Sequence, residues 1–474
     1  MVMGEFTQDT EVLVIGGGPG GYAAAFRAAD LGLDVTMVDT APRPGGVCLF
    51  TGCIPSKTLL YVTELMHDAG RAKEMGITFQ EPQVDINRLR DWKNQVIDKL
   101  ANGLVELTKR RGVLFLNGKA VFEDSTHVRI QNSGASRVKF KHAVIATGSS
   151  TRSTAGVEFK PGGRIMDSTG ALELADVPKR LLVIGAGYVG LEIGSVYASL
   201  GSKVTLVESN GSLMRMLDPD LVQPLAARLK NLFDSIHFNT KVTDMKEAPE
   251  GVDVTLEGEI EKKNQRFDRV LVSIGRIPNS QGLGLEKTKV AVNQRGFIEV
   301  DEQRRTADEK IFAIGDVVGG AMLAHKAMHE GKVAAEVIAG LPSAFDFQVV
   351  PSVVYTDPQI AVCGLSEEAA KSRNRKVKVT RFPWSASGRA VSMGVSRGLT
   401  KMIIDPDSQR VLGMGIVGRE AGEMISEGVL AIEMGALAED LALSIHPHPT
   451  LSEAEEEAAE AFLGSSTHIL PQKK

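Results

Sequence analysis

At 474 residues the chain is long enough for roughly three domains of ordinary size, each with a core of its own. Its 43% apolar and 24% charged residues match an average soluble protein and exclude a disordered, collagen-like or coiled-coil chain. A formal net charge of −5 supplies no basic field to attract nucleic acid or an anionic membrane.

The first eleven residues carry Glu5, Asp9 and Glu11 where a secretion signal needs a basic start and an apolar run, and no stretch of 18 apolar residues follows. Three cysteines, Cys48, Cys53 and Cys363, are too few for a secreted disulfide framework and fit a reducing, cytoplasmic setting. Glycine makes up 49 residues, an excess that suggests backbone brought close to ligands.

Residues 11–39 read as an apolar strand, a glycine turn, an alanine-rich helix and a second strand ending at Asp39. Gly16, Gly18 and Gly21 form G-x-G-x-x-G at the turn, so amide N–H groups and the positive end of the helix would face a pyrophosphate. Asp39 stands where an acid accepts from a ribose hydroxyl. A glycine-rich turn without a ligand is the alternative.

The next motif, GGVCLFTGCIPSK at 45–57, sets Cys48 and Cys53 five residues apart. On a straight helix that spacing rises ~7.5 Å and rotates ~140°, whereas a disulfide needs Cα atoms ~4.4–6.8 Å apart, so the segment must bend. Gly45, Gly46 and Gly52 permit the bend, and Pro55 suits the first turn of the following helix. A thiolate at that helix start, near Lys57, would be stabilised by dipole and charge; two ordinary buried cysteines are the alternative.

Residues 81–140 mix a long polar helix with short strands, and 143–148 is an apolar strand running into glycine. At 180–208 the strand–turn–helix–strand pattern returns with Gly185, Gly187, Gly190 and a terminal Glu208, which implies a second nucleotide. A carboxylate at that strand end repels the 2′-phosphate of NADP, so NAD is favoured. Arg215, seven residues on, reads as a surface charge. From about 349, strand-like runs (VVPSVVY, KMIIDP, VLGMGIVG) alternate with helices at 421–436 and 453–463. The fold class is therefore α/β, with two Rossmann-like dinucleotide domains and a C-terminal α+β domain. His325 and His329 are spaced i,i+4 and His446 lies two before His448, but no acid or cysteine completes a metal set. The run EAEEEAAE at 453–460 reads as a solvated helix face, and Cys363 as a small buried residue.

On GGVCLFTGCIPSK, ATG at 146–148, GAGYVGLE at 185–192, IFAIGD at 311–316, MLAHKA at 322–327 and HPTLSE at 448–453, the chain resembles the pyridine nucleotide–disulfide oxidoreductase family over nearly its whole length. Within that family it is most similar to the branch that oxidises dihydrolipoyl groups. Phe50 stands where many relatives carry Asn and is expected to tune the flavin region without abolishing the chemistry. The resemblance implies an FAD-binding domain at 1–152, an NAD-binding domain at 153–280, a central domain at 281–348 that completes the FAD site, and an interface domain at 349–474 that makes a homodimer.

FAD would lie along Gly16, Gly18, Gly21 and Asp39, with Lys57 near the isoalloxazine, Ala120 and Gly148 in backbone contact, and Asp316 and Ala324 closing the site. NAD would meet Gly185, Gly187, Gly190, Glu208, Val242 and Gly275. Cys48 would be the thiol that meets substrate, Cys53 the thiol against the flavin, and Glu192 the acid paired with Lys57; a purely structural ion pair is the alternative there.

Making a thiolate from a dithiol near neutral pH needs a base that titrates in that range. His448 is the candidate, oriented by Glu453. Glu453 also reads as a helix-start acid, with Ser452 and Glu455 as an S-x-x-E cap. The His448–Pro449 bond is expected to be cis, as in relatives. The implied reaction is oxidation of dihydrolipoamide by NAD, with His448 of one subunit serving Cys48 of the other. The donor would be a lipoyl-lysine on the acyltransferase core of a 2-oxoacid dehydrogenase complex or on the glycine cleavage carrier. A glutathione-reductase-like enzyme would want arginines near Glu208, and a non-catalytic flavoprotein scaffold would not need Cys48, Cys53, His448 and Glu453 together.

Overall fold

The computed structural model describes residues 7–131, 137–154 and 157–471; the acid at Glu5 lies outside them. Strands Thr7–Ile15 and Val35–Asp39 run parallel, pairing Val12 with Val35 through to Ile15 with Val38, and helix Pro19–Asp30 crosses between them. A parallel sheet covered on both faces needs near-continuous apolar strands, and Val12, Leu13 and Val14 are all buried. The sheet order is 114–117, 35–39, 7–15, 137–145, 127–131, 119–122. Strand Ile311–Ala313 joins it from far along the chain, parallel to Ala143–Ile145. That pairing delivers residues 314–324 to the end of the first sheet where its glycine turn lies.

The second unit repeats the rule with parallel strands ordered 235–237, 203–207, 180–184, 269–272, 165–166, flanked by an antiparallel sheet of 240–248, 251–258 and 264–267. Segments 149–151 and 276–278 pair antiparallel and tie the two units together. The C-terminal unit is a five-stranded antiparallel sheet in the order 352–354, 359–364, 411–418, 399–404, 378–383. Its largest buried side chain, Trp384, lies against Gly398 and Gly418 and donates to Thr400 Oγ1 at 3.0 Å.

Several sequence expectations are corrected. The helix expected at 421–436 is two helices, Ala421–Met424 and Ser426–Met434. Helix Glu453–Leu463 forms as expected, but its acidic run is not a solvated face: Glu455 is fully buried and Glu457 nearly so. Ser452 makes no cap bond, because its own backbone is already helical (φ −66°, ψ −23°). The helical stretch 46–75 is long and apolar enough, by length and composition alone, to cross a membrane; here it breaks at Gly52 and packs against helix Tyr188–Ser199. The His448–Pro449 peptide is cis, as is Asp357–Pro358.

Candidate active site

Gly45 (φ +148°) and Gly46 (φ +62°) turn the chain after the second strand. A Cβ on Gly46 would sit 2.5 Å from Gly18 Cα, so the cysteine segment rests directly on the first glycine turn. Helices Gly46–Thr51 and Cys53–Arg71 meet at Gly52, where a side chain would press to 2.9 Å from the Val47 carbonyl. The bend brings Cys48 and Cys53 into contact as half-buried free thiols. The two are electrostatically unequal. The hydrogen bond from Cys48 lowers the Cys53 thiol to about 7; burial opposes this and the Lys57 charge assists it. Cys48 is pushed up, first by donating that bond and then by burial.

Lys57, one turn into the same helix, pairs with Glu192 at 2.8 Å. Glu192 comes from helix Tyr188–Ser199 of the second unit, and its other oxygen accepts the Tyr355 N–H at 2.9 Å. The Lys57 ammonium also lies 4.6 Å from the Tyr355 ring centroid. Burial works to lower the Lys57 ammonium, but Glu192 outweighs it, by charge and by hydrogen bond, and raises it.

A cavity of ≈ 480 Å³ runs from Gly16, Gly18 and Asp39, past Cys48, Cys53 and Lys57, to Gly148, Asp316 and Ala324. The glycine turn beside it tolerates no side chain at two points: a Cβ on Gly16, which lines the cavity, would collide with the Ala146 carbonyl, and one on Gly21, which does not, with the carbonyl of Gly16. Asp39 accepts the amides of Gly17 and, at 2.7 Å, Ala41, which holds the turn while leaving carboxylate lone pairs for a ribose. Ala120, expected to offer only its backbone, has its side chain in the core of the first sheet.

In the second motif, a Cβ on Gly185 would meet the Ser273 carbonyl at 2.5 Å, and one on Gly190 would collide with the Gly185 carbonyl; Gly187 has open space. Glu208 accepts from the amides of Ala186 and Asn210, both at 2.8 Å. Burial works to raise its carboxyl, yet these bonds keep it below the usual range. Arg215 is exposed, Gly275 has φ +115°, and Val242 is half-buried on strand Thr240–Ala248.

His448 Nδ1 and Glu453 Oε1 are 2.7 Å apart, and Glu453 Oε2 accepts the Thr450 N–H at 2.6 Å. Burial favours the neutral Glu453, but the Thr450 and His448 bonds hold its carboxyl low. The His448 ring is 71% exposed and does not line the cavity that holds Cys48. One chain therefore carries the dithiol and the imidazole apart. Sequence reasoning did not single out Tyr188, Arg276 or Tyr355. Arg276 donates to Ser149 Oγ and to the Ser149 carbonyl, each at 2.6 Å, and Ser149 donates to Asp316. Tyr188 lies within GAGYVGLE and Tyr355 ends the strand-like run VVPSVVY, but neither pattern marks the side chain itself. Elsewhere, His325 Nε2 lies 2.8 Å from the Pro351 carbonyl and His329 packs edge-on against Phe347; among the described residues no group of three His, Cys, Asp or Glu is placed to hold a metal.

The family pattern described as pyridine nucleotide–disulphide oxidoreductase matches residues 10–331, and the dimerisation domain of the same family matches 350–459. A dihydrolipoyl dehydrogenase of Vibrio parahaemolyticus is 46% identical over 98% of both chains. One from Geobacillus stearothermophilus is 44% identical over 99% of this chain and all of its own. Among solved structures, LpdA from Mycobacterium tuberculosis superposes with a TM-score of 0.88 at 25% identity, covering 95% of this chain and 99% of its own. The HOCl-induced flavoprotein disulfide reductase RclA of Escherichia coli, as its Cu(II) complex, gives 0.83 at 27% identity, with 94% and 99% covered.

Proposed function

The chain belongs to the pyridine nucleotide–disulphide oxidoreductase family, and we propose that it is an NAD-dependent dihydrolipoyl dehydrogenase working as a homodimer with shared active sites. The observation that carries this reading is the unequal dithiol, which lies between two glycine–acid nucleotide cradles and has its imidazole–carboxylate dyad exposed on another domain. Next to His448, Leu443 is 73% and Ile445 97% exposed. Apolar side chains so placed call for a cover, and a two-fold contact between copies builds two equal sites at once.

In the oxidised enzyme Cys48 and Cys53 form a disulfide. His448 Nε2 takes a proton from one thiol of dihydrolipoamide, while Glu453 holds the ring by Nδ1 and stabilises the imidazolium. The substrate thiolate attacks Cys48 Sγ, and the S–S bond breaks toward Cys53. Cys53 is the better leaving group because its thiol is the more acidic. The second substrate thiol, once deprotonated, attacks the substrate sulfur of the mixed disulfide; cyclic lipoamide leaves and Cys48 is freed. Gly16, Asp39, Lys57 and Asp316 line the cavity that would hold FAD, which would supply the two-electron relay from the dithiol to NAD. Lys57, fixed by Glu192, puts positive charge beside it, and Glu208 selects NAD over NADP at the second cradle.

A lipoyl-lysine of a 2-oxoacid dehydrogenase core or a glycine cleavage carrier fits as donor, and a reducing cytoplasm fits three cysteines. Steady-state kinetics with dihydrolipoamide and glutathione, each with NAD and NADP, test the reaction: turnover is expected with the first of each pair, and preference for glutathione or NADP overturns it. Mixing Cys48→Ser and His448→Gln chains under subunit exchange tests site sharing. Restoration of up to roughly a quarter of wild-type sites is expected if each mixed dimer has one intact site; no restoration despite exchange excludes sharing.

A further inference from the structure

Helix Glu453–Leu463 carries two carboxylates with opposite surroundings. Glu453 faces His448. Glu455, two residues on, points into the core; it is fully buried, and neither of its oxygens has a hydrogen-bond partner of ordinary geometry. Burial and the nearby charge of Glu427 push its carboxyl up to about 9, so the side chain is a neutral acid at pH 7. Glu427 belongs to helix Ser426–Met434 and lies 2.9 Å from His446 Nε2. The His446 ring is 7% exposed, with Nδ1 2.7 Å from the Ser444 carbonyl and 3.4 Å from Glu456. His446 and His448 share the segment that enters this helix.

The neighbouring elements offer Glu455 no free cation among the described residues. Its own helix brings Glu453, Glu456 and Glu457, the last paired with His468. Strand Gln359–Gly364 brings Cys363, whose buried thiol stays protonated with its titration pushed up to about 12. Helix Ala438–Ala442 brings only Glu439 and Asp440. Of the packed strands, Lys378 donates to the Phe462 carbonyl, Arg381 pairs with Asp220 and Glu367, and Lys401 pairs with Asp218, Asp220 and Glu367. Ionising Glu455 would set an uncompensated buried charge against Glu427, at a cost that only separation of the two helices relieves. Glu453, the first residue of that helix, would move with it and release both His448 Nδ1 and the Thr450 amide.

We propose that Glu455 is a positioning residue: as a neutral acid against Glu427 it holds helix 453–463, His446 and the His448-bearing segment in place, and loss of its proton unlatches that segment. The inference rests on the reading of His448 as the base. Its measurable form is the ratio of Glu455→Gln to wild-type turnover of dihydrolipoamide with NAD, followed against pH in the intact dimer. The ratio is near one at pH 7 and rises about tenfold one pH unit above the titration of Glu455. In parallel, infrared difference spectra at pH 7 contain a protonated-carboxyl band that Glu455→Gln lacks. A ratio flat from pH 7 to 10, or the absence of that band, overturns the proposal. If the variant does not fold, hydrogen exchange of residues 443–452 in the wild type decides: protection falls with rising pH in step with the infrared band, and constant protection overturns the proposal. His448→Gln, measured alongside, separates the two readings. Wild-type turnover by that variant removes His448 as the base, whereas slow turnover together with a flat Glu455→Gln ratio removes the latch alone.

Discussion

The two nucleotide cradles use one local design in two settings. In each, a glycine turn follows a parallel strand and an acid at the next strand end accepts one amide of that turn and one of its own loop: Asp39 those of Gly17 and Ala41, Glu208 those of Ala186 and Asn210. What differs is the lid. The first turn is covered by Gly46 and the cysteine helices and is faced by residues of the 314–327 segment across a shared cavity. Gly187, at the equivalent point of the second, has nothing near it. A covered cradle suits a resident cofactor, and an open one suits a nucleotide that exchanges at every turnover.

The sharpest way to break that comparison is to add one methyl group to each turn. In Gly21→Ala the new Cβ collides with the Gly16 carbonyl, and in Gly190→Ala with that of Gly185; in both cases backbone must shift. Gly21→Ala is expected to purify without flavin absorbance and with no turnover. Gly190→Ala should keep its flavin and lose at least about tenfold in kcat/KM for NAD, the effect of roughly 1.4 kcal/mol of lost binding. Flavin loss in both variants would mean that the two cradles are not separate.

A second large effect separates acidity from access. Cys53 is the acidic thiol, yet Cys48 is the one expected to meet substrate, so limited alkylation of the reduced enzyme should label Cys48 first. Labelling of Cys53 would mean that acidity decides. Cys48→Ser and Cys53→Ser should each stop dihydrolipoamide oxidation and leave FAD bound, as judged by the visible spectrum. Because Cys53 titrates at about 7, its thiolate fraction, and any long-wavelength thiolate–flavin absorbance, should grow as pH rises through that value and fade below it.

The sequence disclosed the cradles because their signals are local: strand, glycine turn and helix fall within thirty residues, and the required glycines have no substitutes. Contacts that close across domains left no such mark. Nothing around Tyr355 announces that its amide donates to Glu192, 163 positions away. The acidic run at 453–460 misled for a related reason, since a buried Glu455 and a solvated Glu are the same letter and only the packing around the helix distinguishes them. The cap expected at Ser452 failed because its backbone is already helical and its carbonyl, not its hydroxyl, takes the Glu455 amide.

A smaller effect is expected at the open cradle. Replacing Glu208 by Ser removes the charge opposed to a 2′-phosphate but leaves a hydroxyl acceptor. Discrimination between NAD and NADP should fall by about tenfold to a hundredfold, in line with roughly 1.5–3 kcal/mol for a hydrogen bond to a charged group. Flavin content should not change. An unchanged ratio of kcat/KM for the two nucleotides would show that Glu208 serves only its own loop.

The smallest expected change in turnover lies where the two units meet. Lys57 stands on the helix that covers the first cradle, and Glu192 on the helix that opens the second; their 2.8 Å pair either tunes the flavin or only joins the domains. Lys57→Met distinguishes these roles only in company, because it strands Glu192, whose side chain is 3% exposed, with the Tyr355 amide as its one remaining partner. An unpaired buried carboxylate costs on the order of 3 kcal/mol, so the single variant should unfold more easily whatever the role of the charge. The double variant Lys57→Met/Glu192→Gln removes both charges and should recover most of that stability. If the ammonium stabilises negative charge on the reduced ring, the double variant will still resist reduction by NADH, with the flavin equilibrium displaced roughly tenfold for each 1.4 kcal/mol lost. If stability and flavin reduction recover together, the pair is a clasp between domains and nothing more.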